Sequence, residues 1–369
     1  MNRRLRILHV VENLNYGGME RLISDMARHL DATRFEMHIL ALGYLGHFSK
    51  GLEGFAVLHT GRPQSRLSML YPTTLAHDIR RISPDVVHIH SGLWYKVGLA
   101  ARMADVPFIV YTDHGRQVPD PWMTKVIDGL ASRRTNVVVA VSQRLAEHLE
   151  RFVHDRRRLR VIANGVDTEA YLPRPDDQVL RQELGIAPDA PMIGSIGRLE
   201  KVKGYEVMVE AFVKLLETWT GTPRPVLVLI GDGSERQALE RAADAAGCLG
   251  AIHFLGWRSD IATCHRAFTV FTMSSHSEGT SVSLLEAMSA GLCPIVTNVG
   301  GNSAVLSDTL QHRLVASGRP DALAAAWREA LANPEQRVKD AEAARQRVVQ
   351  TFSLGAMVRQ YESVYAEAF

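Results

Sequence analysis

The sequence predicts an α/β protein built from two parallel-sheet domains, and three observations lead to this class. The chain has 369 residues, enough for two domains of roughly 150 residues each. Short runs rich in β-branched residues alternate with amphipathic stretches, a pattern typical of parallel strands joined by helices. This alternation occurs twice, on either side of a segment rich in proline, glycine and aspartate at 163–177, which we predict to be the linker between the two domains. We therefore predict two Rossmann-like sheets that face each other across a cleft.

Ten apolar runs are predicted to be buried strands, five in each half. They are LRILHVV (5–11), FEMHILAL (35–42), DVVHIH (85–90), PFIVYT (107–112), NVVVAV (136–141), MIGSIG (192–197), VLVLIG (226–231), AIHFLG (251–256), FTVFTM (268–273) and CPIVT (293–297). Helical periodicity is predicted at 19–30, 141–152, 205–219, 234–246 and 282–290, and throughout 321–369. The predicted domains are 1–165 and 166–353. We expect the last helix, at about 354–369, to complete the first domain.

Composition indicates an ordinary soluble protein, with 46 % hydrophobic and 22 % charged residues. The cysteines, Cys248, Cys264 and Cys293, lack CxxC spacing, which argues for a reducing compartment and against a zinc or disulfide framework. The opening MNRRLRILHVVEN has only a short apolar run, so no signal peptide is expected. No stretch approaches the roughly 18 apolar residues of a spanning helix. We therefore expect a cytoplasmic protein.

Charge is distributed unevenly between the halves. Residues 1–170 hold 23 Lys and Arg against 17 Asp and Glu, whereas residues 171–369 hold 19 against 23. The densest basic run is RRRLR at 156–160. A basic N-terminal half suits an anionic membrane surface or a lipid-linked substrate, and a solvated face without a partner is the alternative. No nucleic-acid partner is expected.

Strand-to-helix loops are the places to look for chemistry, because ligands of such sheets bind beyond the carboxyl ends of the strands. In ENLNYGGMERL (12–22), Gly17 and Gly18 follow the first strand and open a helix. The bare N–H groups of a helix start suit a phosphate, although a plain tight turn explains the pair equally well. The loop is not a dinucleotide-binding GxGxxG motif.

The first loop of the second half is IGRLEKVKGYEV (196–207). Arg198 and Lys203 flank this turn, and Gly204 opens the next helix. Cations at a helix start oppose the helix dipole, so their placement makes sense if a bound anion such as a diphosphate bridges them. Two solvated surface cations are the alternative.

Two glutamates stand eight positions apart in EGTSVSLLEAMSAG (278–291). The spacing from Ser283 to Glu286 fits a capping box, in which Glu286 would fold back on a helix N-terminus. Glu278 precedes the helix and is favoured there by the dipole even without a function. Local pattern alone leaves a structural and a functional role open for both carboxylates.

Three of the 15 histidines are candidates for a chemical role. His88 and His90 end a strand with both rings on one face, which could hold a metal. No third ligand with suitable spacing is apparent, so packing or a substrate contact is the preferred interpretation. His114 follows a strand in a loop at the expected cleft; from the residues alone it is a loop histidine.

The ordered set of motifs resembles the large family of retaining glycosyltransferases with the GT-B fold and a Glu-x7-Glu signature. The stretch EGTSVSLLE (278–286) resembles this signature. The resemblance extends over nearly the whole chain. The other elements are GGME near the start, DHG (113–115), NGVD (164–167), GRLEKVKG (197–204), GDG (231–233), FLG (254–256) and NVGGN (298–302).

The resemblance implies a nucleotide-diphosphate sugar as donor, with UDP as the expected nucleotide. Arg198 and Lys203 would bind the diphosphate. Glu286 would bind the ribose hydroxyls and Glu278 the hydroxyls of the transferred sugar. His114 would lie beside the anomeric carbon. The acceptor would be a saccharide or lipid-linked saccharide, in exopolysaccharide or lipopolysaccharide biosynthesis, with peripheral contact at the inner face of the cytoplasmic membrane.

The resemblance also implies phosphate contacts. Backbone N–H groups of Gly279, Thr280 and Ser281 would meet the distal phosphate, and Gly17 and Gly18 would approach it from the other domain. Two positions depart from the family's common pattern, because Ser281 stands where proline or glycine is frequent and Ala304 where a glutamate follows the glycine pair.

No Asp-x-Asp occurs in the chain, so no metal cofactor is expected and the built-in cations must neutralise the leaving diphosphate. The resemblance implies retention by front-face attack. Two other classes stay open: a nucleotide-sugar epimerase on the same fold, and a two-lobed sugar-binding protein without catalysis.

Overall fold

The chain divides into two compact units. The computed structural model describes residues 3–15, 17–62, 66–115 and 121–368. One unit comprises residues 1–165 together with 354–369, and the other comprises residues 166–353. The C-terminal helix therefore belongs to the N-terminal unit.

The N-terminal unit is built on a parallel sheet of seven strands. The strands are β1 (Leu5–Asn13), β2 (Phe35–Tyr44), β3 (Ala56–Thr60), β4 (Val86–His90), β5 (Phe108–Asp113), β6 (Val137–Ala140) and β7 (Leu159–Val161). Their order is β3-β2-β1-β4-β5-β6-β7, so the chain crosses over after β3. The carboxyl ends of β1 and β4 therefore lie side by side at the switch point.

Helices cover both faces of this sheet. They are α1 (Gly18–His29), α2 (Thr73–Ile82), α3 (Trp94–Met103), α4 (Trp122–Ser132), α5 (Gln143–Leu149) and the last helix of the chain, α14 (Leu354–Ala366). Alternate strand residues divide between two apolar clusters: Ile7 and Val11 pack with α1 and α14, while Leu8 and Val10 pack with α2, α3 and α5.

The C-terminal unit has a parallel sheet of six strands in the order β10-β9-β8-β11-β12-β13. The strands are β8 (Met192–Ile196), β9 (Val226–Ile230), β10 (Ile252–Phe254), β11 (Val270–Met273), β12 (Pro294–Thr297) and β13 (Leu314–Val315). The helices are α6 (Val179–Leu184), α7 (Tyr205–Thr218), α8 (Arg236–Ala245), α9 (Ile261–Ala267), α10 (Val282–Ser289), α11 (Asn302–Leu306), α12 (Pro320–Ala332) and α13 (Pro334–Thr351). Across the ranges the structure describes, no helix is both long and apolar enough to span a membrane.

The ten predicted strands and the predicted helices are confirmed, with ends that move by a few residues. Three strands were missed, namely β3, β7 and β13. All three lie at sheet edges, and β3 and β7 contain exposed residues, so neither forms the continuous apolar run of a central parallel strand. The predicted strand at 251–256 shortens to β10, which is also an edge strand.

The segment predicted as a linker, 163–177, is largely folded. The two units divide between Gly165 and Val166. The Val166 N–H donates to the Phe352 carbonyl at 2.9 Å, and Tyr171 is buried in the C-terminal unit. Most of the segment therefore belongs to the second unit and contributes side chains to it.

Candidate donor-binding site

Loops of the C-terminal unit converge because they follow adjacent parallel strands, whose carboxyl ends share one edge of the sheet. The loop after β11 is joined to the loop after β8 by a hydrogen bond from His276 N–H to the Val202 carbonyl, 2.8 Å long. It is joined to the loop after β12 by a bond from Gly301 N–H to the Gly279 carbonyl, 3.0 Å long. The predicted loops thus form one connected surface.

An ion pair between Lys203 and Glu278 lies on this surface. Lys203 Nζ donates to Glu278 Oε1 at 2.7 Å, and Ser275 Oγ donates to the same oxygen at 2.6 Å. The side chains are 22 % and 7 % exposed, respectively. The two residues were predicted to bind different parts of one ligand, and the structure brings them into direct contact.

The backbone explains how Lys203 reaches this position. Gly204 has φ +61°, and a Cβ there would lie only 2.4 Å from the Ser274 carbonyl oxygen. Glycine therefore allows the loop after β8 to lie against the loop after β11. Ser274 Oγ donates to the Lys203 carbonyl at 3.1 Å and fixes the contact.

Arg198, the other predicted cation, is exposed. Within the described residues no carboxylate pairs with it. Its loop is nevertheless held, since Leu199 N–H donates to the Asp232 carbonyl at 3.0 Å. The backbone beside Arg198 is therefore held in place, while its guanidinium is exposed and available to an anion.

Glu286 is buried inside the unit, only 4 % exposed. Its Oε1 accepts a hydrogen bond from the Tyr171 hydroxyl at 2.9 Å. The capping-box interpretation is wrong, because helix α10 begins at Val282 and its N-cap is Ser281, whose side chain accepts from Leu284 N–H. Glu286 lies beyond the first turn of that helix, too far along to fold back on its start.

Replacing Ser281 by alanine should therefore destabilise the protein by about 0.5–1 kcal/mol, through loss of the N-cap. The 3.5 Å bond from Leu284 N–H is long, which favours the low end of that range. Scanning calorimetry of Ser281→Ala and of its control, Ser283→Ala, checks this. An equal or larger loss in Ser283→Ala would place the cap where the sequence pattern suggested.

The glycine pair after β12 packs on the backbone of the first glutamate. Gly300 has φ +55°, and a Cβ there would lie 1.7 Å from the Glu278 carbonyl oxygen. Thr280 and Ser281 are buried at the start of α10, and Gly279 accepts from Gly301. A phosphate contact for Gly279, Thr280 and Ser281 stays a prediction.

The other glycine turns have a structural role. Gly231 N–H donates to the Gly256 carbonyl at 2.8 Å, and a Cβ on Gly231, at φ +130°, would lie 2.0 Å from the Gly197 carbonyl oxygen. These three glycines therefore bring neighbouring loops together, which favours the structural interpretation of the GDG and FLG motifs.

Sequence reasoning missed two side chains that contact the predicted carboxylates, Tyr171 and Ser275. Ser275 was visible within MSSHSEG, three residues before Glu278. No sequence signal pointed to Tyr171, which lies 115 positions from Glu286 in a segment interpreted as a linker.

In the N-terminal unit, Gly17 is the N-cap of α1 and Gly18 its first residue. A Cβ on Gly17 would lie 2.2 Å from Glu20 Oε2, so a carboxylate lies at this helix end. An anion contact at Gly17 and Gly18 stays a prediction, and a phosphate there would require Glu20 to move.

Histidines at the sheet of this unit form a cluster. The rings of His88 and His90 lie on one face, as predicted, with centroids 4.3 Å apart. His9 on the neighbouring strand joins them, so the group has a third histidine that sequence spacing did not reveal. Its Nδ1 lies 3.0 Å from His90 Nε2, and His90 Nδ1 lies 3.0 Å from His114 Nε2. All six ring nitrogens of the three residues have polar protein partners, which leaves none directed at an ion.

Comparison with known proteins identifies the family to which the chain belongs. Two family models match: Glycosyltransferase Family 4 over residues 16–170 and Glycosyl transferases group 1 over residues 176–347. A D-inositol 3-phosphate glycosyltransferase of Xylanimonas cellulosilytica is 30 % identical over 285 residues, covering 71 % of this chain and 67 % of that relative. The chain therefore belongs to the glycosyltransferase family that these two models describe, Glycosyltransferase Family 4 in its N-terminal half and Glycosyl transferases group 1 in its C-terminal half.

A second relative is the UDP-Gal:alpha-D-GlcNAc-diphosphoundecaprenol alpha-1,3-galactosyltransferase of Escherichia coli. It is 30 % identical over 241 residues, 63 % of this chain. The match spans 62 % of that relative, less than two thirds of its length. Among solved structures, Anabaena HepE (Alr3699) in complex with UDP-glucose matches with a TM-score of 0.84 and 20 % identity, over 99 % of this chain and 100 % of that one. The predicted fold class, two Rossmann-like units as in GT-B glycosyltransferases, is confirmed.

Proposed function

We propose that the protein moves a sugar from a nucleotide-diphosphate sugar, with UDP as the nucleotide, to a saccharide or lipid-linked saccharide in surface polysaccharide biosynthesis. The observation that carries the proposal is the Lys203–Glu278 pair at the carboxyl edge of the second sheet, in a chain of this family. HepE was solved with UDP-glucose, and the Escherichia coli relative is named for UDP-Gal and a diphosphoundecaprenol acceptor. Both names support the assignment.

The charges of the site suit such a donor. Arg198 offers an open guanidinium and Lys203 a half-buried ammonium, which together suit the two phosphates of a diphosphate. Glu286, a buried carboxylate with Tyr171 on one oxygen, suits the vicinal hydroxyls of a ribose. Glu278 lies where it can orient hydroxyls of the sugar.

The mechanism follows from which charges change. Departure of the nucleoside diphosphate concentrates negative charge on the leaving oxygen, and Lys203, Arg198 and the start of α10 would stabilise it. Glu278 is a poor nucleophile, because Lys203 and Ser275 both donate to its Oε1. We therefore assign it a positioning role, with retention by front-face attack and the leaving phosphate taking the acceptor proton.

Turnover should persist in excess EDTA, because the chain has no Asp-x-Asp and its cations are built in. Initial rates measured with and without EDTA, and again after Mn²⁺ is added, check this. A preparation that loses activity in EDTA and recovers with Mn²⁺ would overturn the metal-independent mechanism.

A lipid-linked acceptor is supported by an apolar face on α4. Trp122, Met123 and Val126 are 73 %, 55 % and 53 % exposed, and Lys125 lies between them. An exposed apolar face with nearby basic residues suits an anionic bilayer surface. The basic run at 156–160 offers less net positive charge than its sequence suggests, since Arg157 and Arg158 both pair with Asp155.

Binding to anionic vesicles should weaken as salt rises, because the Debye length falls from about 10 Å at 0.1 M to about 3 Å at 1 M. Trp122→Ser should weaken binding more than its control Arg157→Gln, because the arginine is already paired. Vesicle co-sedimentation measures both variants. Full turnover on a soluble saccharide, with no salt-sensitive vesicle binding, would leave a soluble acceptor as the answer.

One assay distinguishes a transferase from an epimerase and from a sugar-binding protein without catalysis. The protein is incubated with a panel of nucleotide sugars, and released nucleotide is measured with and without saccharide acceptors. A transferase releases nucleotide in proportion to acceptor glycosylated. An epimerase changes the donor sugar without needing an acceptor, and a binding protein leaves every donor intact; either outcome would refute the transferase.

A further inference from the structure

A chain of hydrogen-bonded side chains runs inside the N-terminal unit, on the sheet face that packs against α14. His88 and His90 share this face because strand side chains alternate, and the parallel register places His9 beside His88. Helix α14 contributes Tyr361 and Tyr365, which lie four residues apart and hence on one side of the helix. All five side chains are buried.

The chain joins seven groups through six contacts of hydrogen-bonding length. From its inner end it runs Tyr361, Thr112, His88, Tyr365, His9, His90 and His114, with successive separations of 3.2, 2.7, 2.7, 3.3, 3.0 and 3.0 Å. Such separations are those of ordinary hydrogen bonds.

Burial keeps these imidazoles neutral. It lowers the pKa of His9 to about 3 and that of His114 to about 4. Burial, and then the neighbouring histidines, hold the pKa values of His88 and His90 well below 6.5. Each ring therefore carries one N–H donor and one accepting nitrogen.

The inner end sets the direction of the chain. Within the described residues Thr112 is the single hydrogen-bond partner of the Tyr361 hydroxyl, and a buried hydroxyl hydrogen without an acceptor is costly. Tyr361 therefore donates to Thr112, which leaves the Thr112 hydrogen for His88 Nε2. His88 then carries its hydrogen on Nδ1 and donates to Tyr365. The Tyr365 hydrogen goes to His9 Nε2.

The same reasoning continues to the outer end. His9 carries its hydrogen on Nδ1 and donates to His90 Nε2. His90 then donates from Nδ1 to His114 Nε2. His114 must carry its own hydrogen on Nδ1, and that buried atom has no partner among the residues the structure describes. Either direction of the chain leaves one such hydrogen, on the Tyr361 hydroxyl or on His114 Nδ1. Tyr361 is 1 % exposed beneath the sheet, whereas His114 is only half-buried, so the unpartnered hydrogen costs less on His114. His114 follows β5 at the carboxyl edge of the sheet, where ligands of such folds bind.

We propose that this chain holds His114 as the Nδ1–H tautomer, so that a neutral imidazole donates a hydrogen bond from Nδ1 to an oxygen of the bound substrate. Tyr365, His9 and His90 are then positioning residues. The substrate contact rests on the proposed transferase function, whereas the tautomer is a property of the free protein.

Nuclear magnetic resonance of ¹⁵N-histidine-labelled protein, without donor, tests the tautomer directly. The His114 signals are assigned by their loss in His114→Gln. We expect a protonated-type shift for Nδ1 and a lone-pair-type shift for Nε2. The opposite pattern, or averaged shifts for both nitrogens, would overturn the proposal.

Tyr365→Phe tests the relay, since it deletes the hydroxyl that donates to His9 and keeps the ring. The control is Tyr111→Phe, which deletes a buried hydroxyl bonded to Asp113 on the other face of the same sheet. Tyr365→Phe should release His114 to a mixture of tautomers and lower kcat by roughly 3- to 10-fold, the equivalent of one neutral hydrogen bond. Tyr111→Phe should leave the His114 shifts unchanged.

The two levels of the proposal fail separately. Unchanged His114 shifts in Tyr365→Phe would refute the relay. A fixed Nδ1–H tautomer in a protein that releases no nucleotide from any donor would refute the transferase function and leave the relay standing. A mixture of His114 tautomers in Tyr365→Phe, together with a parental kcat, would refute the substrate contact.

Discussion

Lys203→Ala is expected to lower kcat by about 100-fold or more while weakening nucleoside binding far less. Removal of one preorganised group that stabilises transition-state charge costs about 10²- to 10³-fold in kcat. The ammonium would meet charge that develops as the diphosphate leaves, so its loss affects the transition state more than the ground state. Steady-state kinetics with the preferred donor, beside titration with the nucleoside, measure the two effects.

Its contact with Glu278 requires a control. In Lys203→Ala the Glu278 carboxylate, which is 7 % exposed, keeps its hydrogen bond from Ser275 but loses its cation. This loss should destabilise the protein by up to about 3 kcal/mol. The double variant Lys203→Met/Glu278→Gln removes both charges and should recover much of this stability without recovering turnover. Melting temperatures and kcat values for both proteins separate the effects. Parental kcat in Lys203→Ala would exclude this lysine from the site.

Glu286→Gln is expected to weaken donor binding by roughly 1.5–3 kcal/mol, the range for hydrogen bonds to charged groups. Glutamine still accepts from the Tyr171 hydroxyl, so the melting temperature should change little. The loss would therefore report the carboxylate's charge rather than its packing. Calorimetric titration with UDP and with the UDP-sugar gives the affinities.

Two matched variants sharpen the interpretation. Tyr171→Phe removes the hydroxyl that donates to Glu286 Oε1 while keeping both the carboxylate and the ring, and should weaken donor binding less than Glu286→Gln. Glu278→Gln should leave nucleotide affinity near the parental value and lower kcat, because its proposed partner is the sugar. Parental affinity and turnover in both glutamate variants would mean that the pair serves only the architecture of α10.

Much of the fold was predictable because its signals are local. Central parallel strands are buried on both faces and form continuous apolar runs, so β1, β4, β5, β9 and β12 were all found. Edge strands lack such runs, and they account for every missed strand. The C-terminal helices also follow from local periodicity.

The candidate site was predictable only as a set of separate residues. Lys203 and Glu278 lie 75 positions apart, and nothing in either loop indicates that they pair. His9 lies 81 positions from His90, so only the strand register reveals the cluster. Strand register and sheet order bring together residues that are far apart in the chain. The spacing of residues within one loop or one strand therefore does not reveal these contacts.

The error over Glu286 has a different cause. Ser281 and Ser283 stand two positions apart, and each is a good N-cap by type. The packing of the Gly300 turn on the Glu278 backbone fixes the preceding loop, and helix α10 begins two residues earlier than the capping-box pattern suggested. Tertiary contacts therefore decided between two locally equivalent starts.

We propose that the cations and carboxylates of the C-terminal unit bind a nucleoside diphosphate without metal. Calorimetric titration of the whole protein, in EDTA, with UDP, GDP and their nucleosides tests this binding. We expect one diphosphate to bind at least about tenfold more tightly than its own nucleoside, since charge-assisted bonds to phosphate contribute about 1.5–3 kcal/mol each. Equal affinity for every diphosphate and its nucleoside would contradict it.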